Sequence, residues 1–301
     1  MKYSIVKSNK ENKSSDEDRN LVEEPKWTLD EVALPLTTLD QIEEIVAYAM
    51  NREKLLNEWE FNRFLKLGSG LGINFYGLPG TGKSITAEAI AHKLSMNVVR
   101  VNYGDLESEY VGGTSKNLSN VFELAQETHS ILFFDEADTI LSQRIAKLSQ
   151  AADHGVNSAK GTLLTLLNKF DGIIIFATNR FEVYDPAFLR RILFHIEFTA
   201  PDLIMRIRLW ELHLSEKIPK NITYQRAAEL SDGLCGGDIR NVAIKLGLKL
   251  LVGKVSRIDE QIFEEEVKSY RISGKRDLPV SPNGSKELQD MDNSTQFLGE
   301  N

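Results

Sequence analysis

Residues 77–84, Gly-Leu-Pro-Gly-Thr-Gly-Lys-Ser, constrain the fold of this chain more than any other stretch. Glycines at 77, 80 and 82 let the backbone curl until successive N–H groups point inward, a concavity suited to phosphate oxygens. Lys83 can then reach β- and γ-phosphates, and the Ser84 hydroxyl can bind Mg²⁺. The pattern has meaning only between a strand and a helix. Ile73-Asn74-Phe75-Tyr76 reads as a short buried strand, and Ser84 to Leu94 as a helix with Ile85, Ala89 and Ile90 facing inward.

The same alternation continues down the chain. Strands are expected at 73–76, 97–102, 130–134, 173–177 and 193–198, with helices between them, including 115–128 and 156–170. That order predicts an α/β fold, a Rossmann-like parallel sheet with helices on both faces. A helix at 38–57 precedes it, with Leu39, Ile42, Ile45, Val46 and Ala49 on one face. After Pro201-Asp202, a good helix start, only helical patterns follow: a Leu203, Ile207, Trp210, Leu214 stripe, then 223–231, 237–252 and 259–271. The expected organisation is a disordered segment over 1–24, a large α/β subdomain over 25–200, a small helical subdomain over 201–272 and a disordered tail over 273–301. The two end segments are too polar to bury a core.

Composition excludes several classes. The 301 residues are 42% hydrophobic and 27% charged, ordinary for a soluble globular protein. No stretch could span a membrane, and the N-terminus lacks the apolar run of a signal peptide. A net charge of −8 argues against a general nucleic-acid binder. The single cysteine, Cys235, cannot form an internal disulfide, which points to a reducing, cytoplasmic setting. The five histidines have no metal-ligand spacing.

Three further segments carry chemistry. Ile131-Leu132-Phe133-Phe134-Asp135-Glu136 is an apolar run that ends in two acids. With the phosphate loop upstream, Asp135 is expected to hold Mg²⁺ and Glu136 to orient and polarise the attacking water; alone, the run is also a strand ending in an acidic turn. Asn179, after the next strand, offers an amide to water and γ-phosphate, or a simple turn cap. Arg190 and Arg191 suit phosphoryl charge, and equally suit the negative end of a helix dipole.

The phosphate loop, Leu132–Asp138, Ala177–Arg180, Asp185–Arg191 and Leu234–Val242 occur in that order. Together they resemble the AAA branch of the AAA+ ATPases over about residues 27–272. The resemblance implies a P-loop ATPase subdomain followed by a helical lid. It also implies a homo-oligomeric ring, commonly a hexamer, with ATP between subunits. ATP would lie on Gly77, Pro79, Gly80, Thr81, Gly82, Lys83, Ser84 and Ile85, with Mg²⁺ held by Ser84 and Asp135. Asn179 matches the family's sensor-1 position, and Arg190 and Arg191 fall where arginine fingers reach the neighbouring nucleotide. The pair is adjacent here, whereas the family separates its two arginines by Pro-Gly. Gly236-Gly237-Asp238 resembles the Gly-Ala-Asp at the start of the lid helix, where backbone meets adenine. Val32, in Asp30-Glu31-Val32, is a further backbone contact to adenine on the same grounds. Cys235 is expected to pack at that helix start.

In this branch an aromatic–hydrophobic–glycine triplet lines the central pore, and Tyr110-Val111-Gly112 resembles it. An exposed aromatic grips a polypeptide through non-directional contacts, without reading its sequence. Residues 145–157 are a candidate second pore loop or an ordinary surface helix. Asp171-Gly172 runs straight into Ile173-Ile174-Ile175, shortening a segment that often signals between subunits. The expected activity is Mg²⁺-dependent ATP hydrolysis that remodels a protein substrate, recruited directly or by an adaptor. The competing readings are a nucleic-acid loader, which would need a basic groove, and a non-hydrolysing scaffold.

Overall fold

The computed structural model describes residues 21–63, 70–106, 113–142, 151–180 and 184–274. They divide into two compact units. The first holds residues up to Val32, Leu36–Gly77 and Lys83–Phe198; the second holds Ala33–Pro35, Leu78–Gly82 and the chain from Thr199 onward.

The first unit is built on six strands: β1 (Val22–Glu23), β2 (Leu71–Gly77), β3 (Val98–Asn102), β4 (Ile131–Asp135), β5 (Ile173–Thr178) and β6 (Phe194–Phe198). Their order across the sheet is β1-β3-β4-β5-β2-β6. All pairs are parallel except β1 with β3, where Val22 lies opposite Val99 and Glu23 opposite Val98. Residues 1–24 were expected to be disordered as a whole. That expectation is corrected at its end, because Val22 and Glu23 complete the sheet's edge by backbone pairing, which acidic composition does not forbid.

The helices of this unit are α1 (Leu36–Met50), α2 (Lys83–Lys93), α3 (Tyr103–Leu106), α4 (Gly113–Glu127), α5 (Asp138–Leu141), α6 (Ala151–Leu167) and α7 (Pro186–Leu189). The expected helix at 38–57 stops at Met50, and a π turn follows at Lys54–Glu58. Strands β4 and β5 are interior and covered on both faces, so Ile131–Phe134 and Ile173–Ala177 are apolar without alternation. Leu132, Phe134, Ile174 and Phe176 join Leu118, Val121, Phe122 and Leu163 in one core cluster under α4 and α6. Phe134 stacks on Phe176 at 5.3 Å between ring centroids, and Phe122 meets Phe170 edge-on at 5.0 Å. The alternate residues Phe133, Ile175, Ile73 and Phe75 are fully buried on the opposite face. The sheet is therefore a sandwiched parallel layer whose strand C-termini share one edge.

The connection before β5 is pinned at Asp171 and Gly172. Arg52 pairs with Asp171, and Gly172 accepts the Leu71 N–H at 2.9 Å.

The second unit contains α8 (Leu203–His213), α9 (Tyr224–Leu230), α10 (Gly236–Leu251) and α11 (Glu260–Gly274). Helix α11 runs through Gly274, so the tail expected from 273 begins inside a helix. Trp210 is the centre of this unit's core, edge-on to Phe263 at 4.8 Å, with its indole N–H donating to Ser231 Oγ at 2.8 Å. Arg206 is buried yet satisfied: it donates to Ala228 O and Pro201 O and pairs with Asp232 at 2.9 Å. Asp202 and Thr223 cap α8 and α9 by accepting the N–H groups of Met205 and Arg226. No helix among the described residues is long and apolar enough to cross a membrane.

Candidate functional site

Strand β2 delivers the glycine loop. Gly77 ends the strand at φ +126°, and a Cβ there would lie 2.2 Å from Phe198 O in β6, so only glycine fits. Lys83 opens α2 with only 8% of its surface exposed. Its ammonium donates to Gly77 O at 2.9 Å and to Asn179 Oδ1 at 2.7 Å. Ser84 Oγ donates to Asp135 Oδ2 at 2.9 Å. These contacts follow from the sheet order. Strand β5 lies between β4 and β2, so Asp135, Asn179 and the exit of β2 emerge side by side.

Asp135 has a partner that sequence reasoning missed. Arg100, from the middle of β3, sits 3.4 Å from Asp135 Oδ2 and 2.6 Å from Glu88 Oε1 of α2, over the Phe133 ring. A single arginine inside Val-Val-Arg-Val-Asn was the available signal. A cation in an apolar strand needs a buried acid nearby. Glu136, the next residue after Asp135, is exposed and has φ +51°, a left-handed conformation rare outside glycine. Strain of this kind concentrates where a side chain must be aimed.

A second set of missed residues lies behind Asn179. The Thr178 hydroxyl bonds the Asp138 carboxylate and accepts the Arg180 N–H at 2.9 Å. Burial holds the Asp138 carboxyl above the usual carboxylate range, opposed by the N–H groups of Asn179 and Arg180.

The two arginines differ. Both are exposed, just past α7, which Asp185 caps by accepting the Ala187 N–H at 2.8 Å. Arg191 is tied down within its own unit, with Nε on Asn168 Oδ1 at 2.8 Å and a terminal N–H on Ala187 O at 2.6 Å. Among the described residues the Arg190 side chain makes no such contact.

Within the second unit, loop residues 78–82 pack against the first turn of α10. Gly237 N–H donates to Gly80 O at 3.0 Å, and Gly236 and Cys235 lie alongside Gly80. Cys235 occupies the N-cap, where its N–H donates to Asp238 Oδ2 at 3.1 Å. The Thr81 hydroxyl closes the loop on Leu78 O at 2.7 Å. Val32 is buried, and its N–H is already bonded to Leu29 O at 3.3 Å. Tyr110 and Val111 lie outside the described residues, as do residues 145–150 of the candidate second pore loop, while 151–157 begin α6.

The donor set suits a nucleoside triphosphate with Mg²⁺. A hydroxyl and a carboxylate oxygen lie together at Ser84 and Asp135, the hard oxygen donors Mg²⁺ prefers. The nearly buried Lys83 ammonium adds a positive charge beside Asn179.

A parallel sheet whose phosphate-loop strand is separated from the acidic strand by the strand bearing Asn179 defines a P-loop nucleotide-binding protein. Residues 73–200 match the model of the ATPase family associated with various cellular activities (AAA). The chain belongs to that family, whose members take ATP with Mg²⁺. It is 30% identical over 251 residues to the 26S proteasome regulatory subunit 8 homolog of Saccharomyces cerevisiae, covering 80% of this chain and 60% of that one. It is 32% identical over 216 residues to the proteasome-activating nucleotidase of Methanococcus maripaludis, covering 68% and 52%. It is 29% identical over 240 residues to the 26S proteasome regulatory subunit 8 of Caenorhabditis elegans, covering 76% and 55%. The chain thus spans little more than half the length of these relatives.

Proposed function

We propose that this chain hydrolyses ATP as one subunit of a homo-oligomeric, hexameric ring that remodels or unfolds a protein through its central pore. One observation carries the reading: Lys83, Ser84, Asp135 and Asn179, from one helix and the ends of two parallel strands, meet at one sheet edge in two direct pairs. With ATP bound, Mg²⁺ would supply Lewis-acid charge to the phosphates. Lys83, released from Gly77 O and Asn179, neutralises the phosphates. Ser84 and Asp135 hold the cation. Glu136 orients and polarises the attacking water, and the Asn179 amide positions that water against the γ-phosphate. Residues 25–200 are the ATPase subdomain and 201–272 the lid, with Gly236 and Gly237 as its adenine-side contact. Since the Val32 N–H is engaged, its contact to adenine is made through another backbone group of that segment.

Arg190 is the residue that reaches the neighbouring subunit's nucleotide, and Arg191 braces it through Asn168. Tyr110 and Val111 grip the substrate. The relatives' names connect them to the proteasome, which supports a polypeptide as the substrate here. Cys235, buried at a helix start, fits a reducing cytoplasmic location.

Glu136→Gln tests the reading. This variant should bind ATP as tightly as wild type while phosphate release falls at least about 100-fold, the usual worth of a positioned general base. In ATP it should also retain polypeptide clients on pull-down. Wild-type turnover in the variant would remove Glu136 from its role. A ring stimulated by DNA or RNA in a salt-sensitive manner, with no trapped polypeptide, would replace the protein-remodelling reading.

A further inference from the structure

Asn74 lies in the middle of β2, fully buried between apolar strand neighbours. An amide is an awkward occupant of that position. Its Oδ1 accepts the Tyr184 hydroxyl at 2.9 Å, while its Nδ2 has no partner among the described residues. Tyr184 is itself buried, and its hydroxyl oxygen faces the Thr178 side chain, whose single hydroxyl proton is given to Asp138. Thr178 in turn bonds Asp138, whose carboxylate accepts the N–H groups of Asn179 and Arg180. The Asn179 amide then receives the Lys83 ammonium. Four side chains thus run from the centre of β2, across β5, to the residue that meets the phosphate-loop lysine. The same tyrosine is anchored by its backbone: it bridges Ser142, and the next residue, Asp185, donates its N–H to Leu141 O at 2.9 Å.

Packing does not demand this arrangement. A leucine and a phenylalanine of matching size would fill the same space with no unpaired amide, and removing both partners of a buried hydrogen bond is commonly near neutral for stability. What the polar chain adds is direction. It fixes the backbone at Asn179 from behind.

We propose that Asn74, Tyr184, Thr178 and Asp138 are positioning residues for ATP hydrolysis, setting the placement of the Asn179 amide relative to Lys83. This rests on the reading that Lys83 and Asn179 face the γ-phosphate. No group in the chain changes its covalent bonding; the effect is on how well the sensor amide is held when the transition state forms.

The test uses the full chain under ring-forming conditions, with thermal midpoint, affinity for a fluorescent ATP analogue, and kcat and KM measured on each variant. Tyr184→Phe should lower kcat about 10-fold, leave KM and analogue affinity within twofold, and lower the thermal midpoint. Adding Asn74→Leu should restore the midpoint and leave kcat low. Recovery of kcat together with the midpoint, or an unchanged kcat in Tyr184→Phe, would overturn the proposal. Should Tyr184→Phe fail to fold, Thr178 decides. Thr178→Ser keeps the hydroxyl and should match wild type, whereas Thr178→Val should lose turnover at unchanged affinity; equal turnover in both would sink the relay. Asn179→Ala separates the two levels. If it abolishes turnover while the relay variants do not, only the relay falls. If the wild type and Asn179→Ala are equally inactive, the ATPase reading falls with it.

Discussion

Arg190 and Arg191 are chemically identical and adjacent, and their surroundings alone distinguish them. A guanidinium that serves a neighbouring subunit must be free to leave its own. Arg191 is not, because Asn168 and the Ala187 carbonyl already hold it in a fork. Arg190→Ala should therefore cut ring ATPase by about 10³-fold, the scale of a lost arginine finger, with nucleotide affinity of the isolated subunit unchanged. Arg191→Ala should lose less and should lower the thermal midpoint. Complementation checks the assignment. Mixing Arg190→Ala with Lys83→Ala subunits should recover activity, since one retains an intact phosphate loop and the other an intact finger. No recovery, alongside recovery with Arg191→Ala in its place, would reverse the roles. Both arginines were legible as a pair in Asp185–Arg191; which one is free was not, since Asn168 lies more than twenty positions away.

At the scale of elements, periodic apolar residues marked nearly every strand and helix within a few residues. Burial of one face is what stabilises an amphipathic element, and the pattern states which face. The pattern failed where backbone pairing carries the element, as in β1, or where an ion decides. His213 at the end of α8 shows the second case. A helix C-terminus favours a charged imidazole. Burial, with the Arg240 charge on α10 adding to it, instead holds its pKa below the free value. As pH falls through the ordinary histidine range the unfolded chain takes up the proton first, so stability is lost on acidification. Chemical denaturation of wild type should show stability falling from pH 7 toward 5, and His213→Gln should flatten that slope. An unchanged slope would show that another group is responsible.

At the scale of the whole molecule, the proposed function requires ATP turnover to be converted into work on a polypeptide, and the residue proposed for that conversion is Tyr110. Tyr110→Ala should keep basal ATPase within about twofold and abolish unfolding of a tagged model substrate, because losing one aromatic ring removes grip while leaving the phosphate-loop residues intact. Unfolding at wild-type rate would end the pore assignment. What the sequence by itself determined is the family: the glycine loop, the acid-tipped strand and the later arginines each depend on spacing within one short segment, and short-range spacing survives without coordinates. The tertiary structure decided which groups meet. It put Arg100 on Asp135, Asn179 on Lys83 and Tyr184 on Asn74, three pairings separated by 35, 96 and 110 positions. Such contacts are set by strand order in the sheet, and strand order is a property of the packed chain that no local pattern encodes. The phosphate loop was visible at once as a place for phosphate; only the fold showed which buried hydrogen bonds lie behind Asn179.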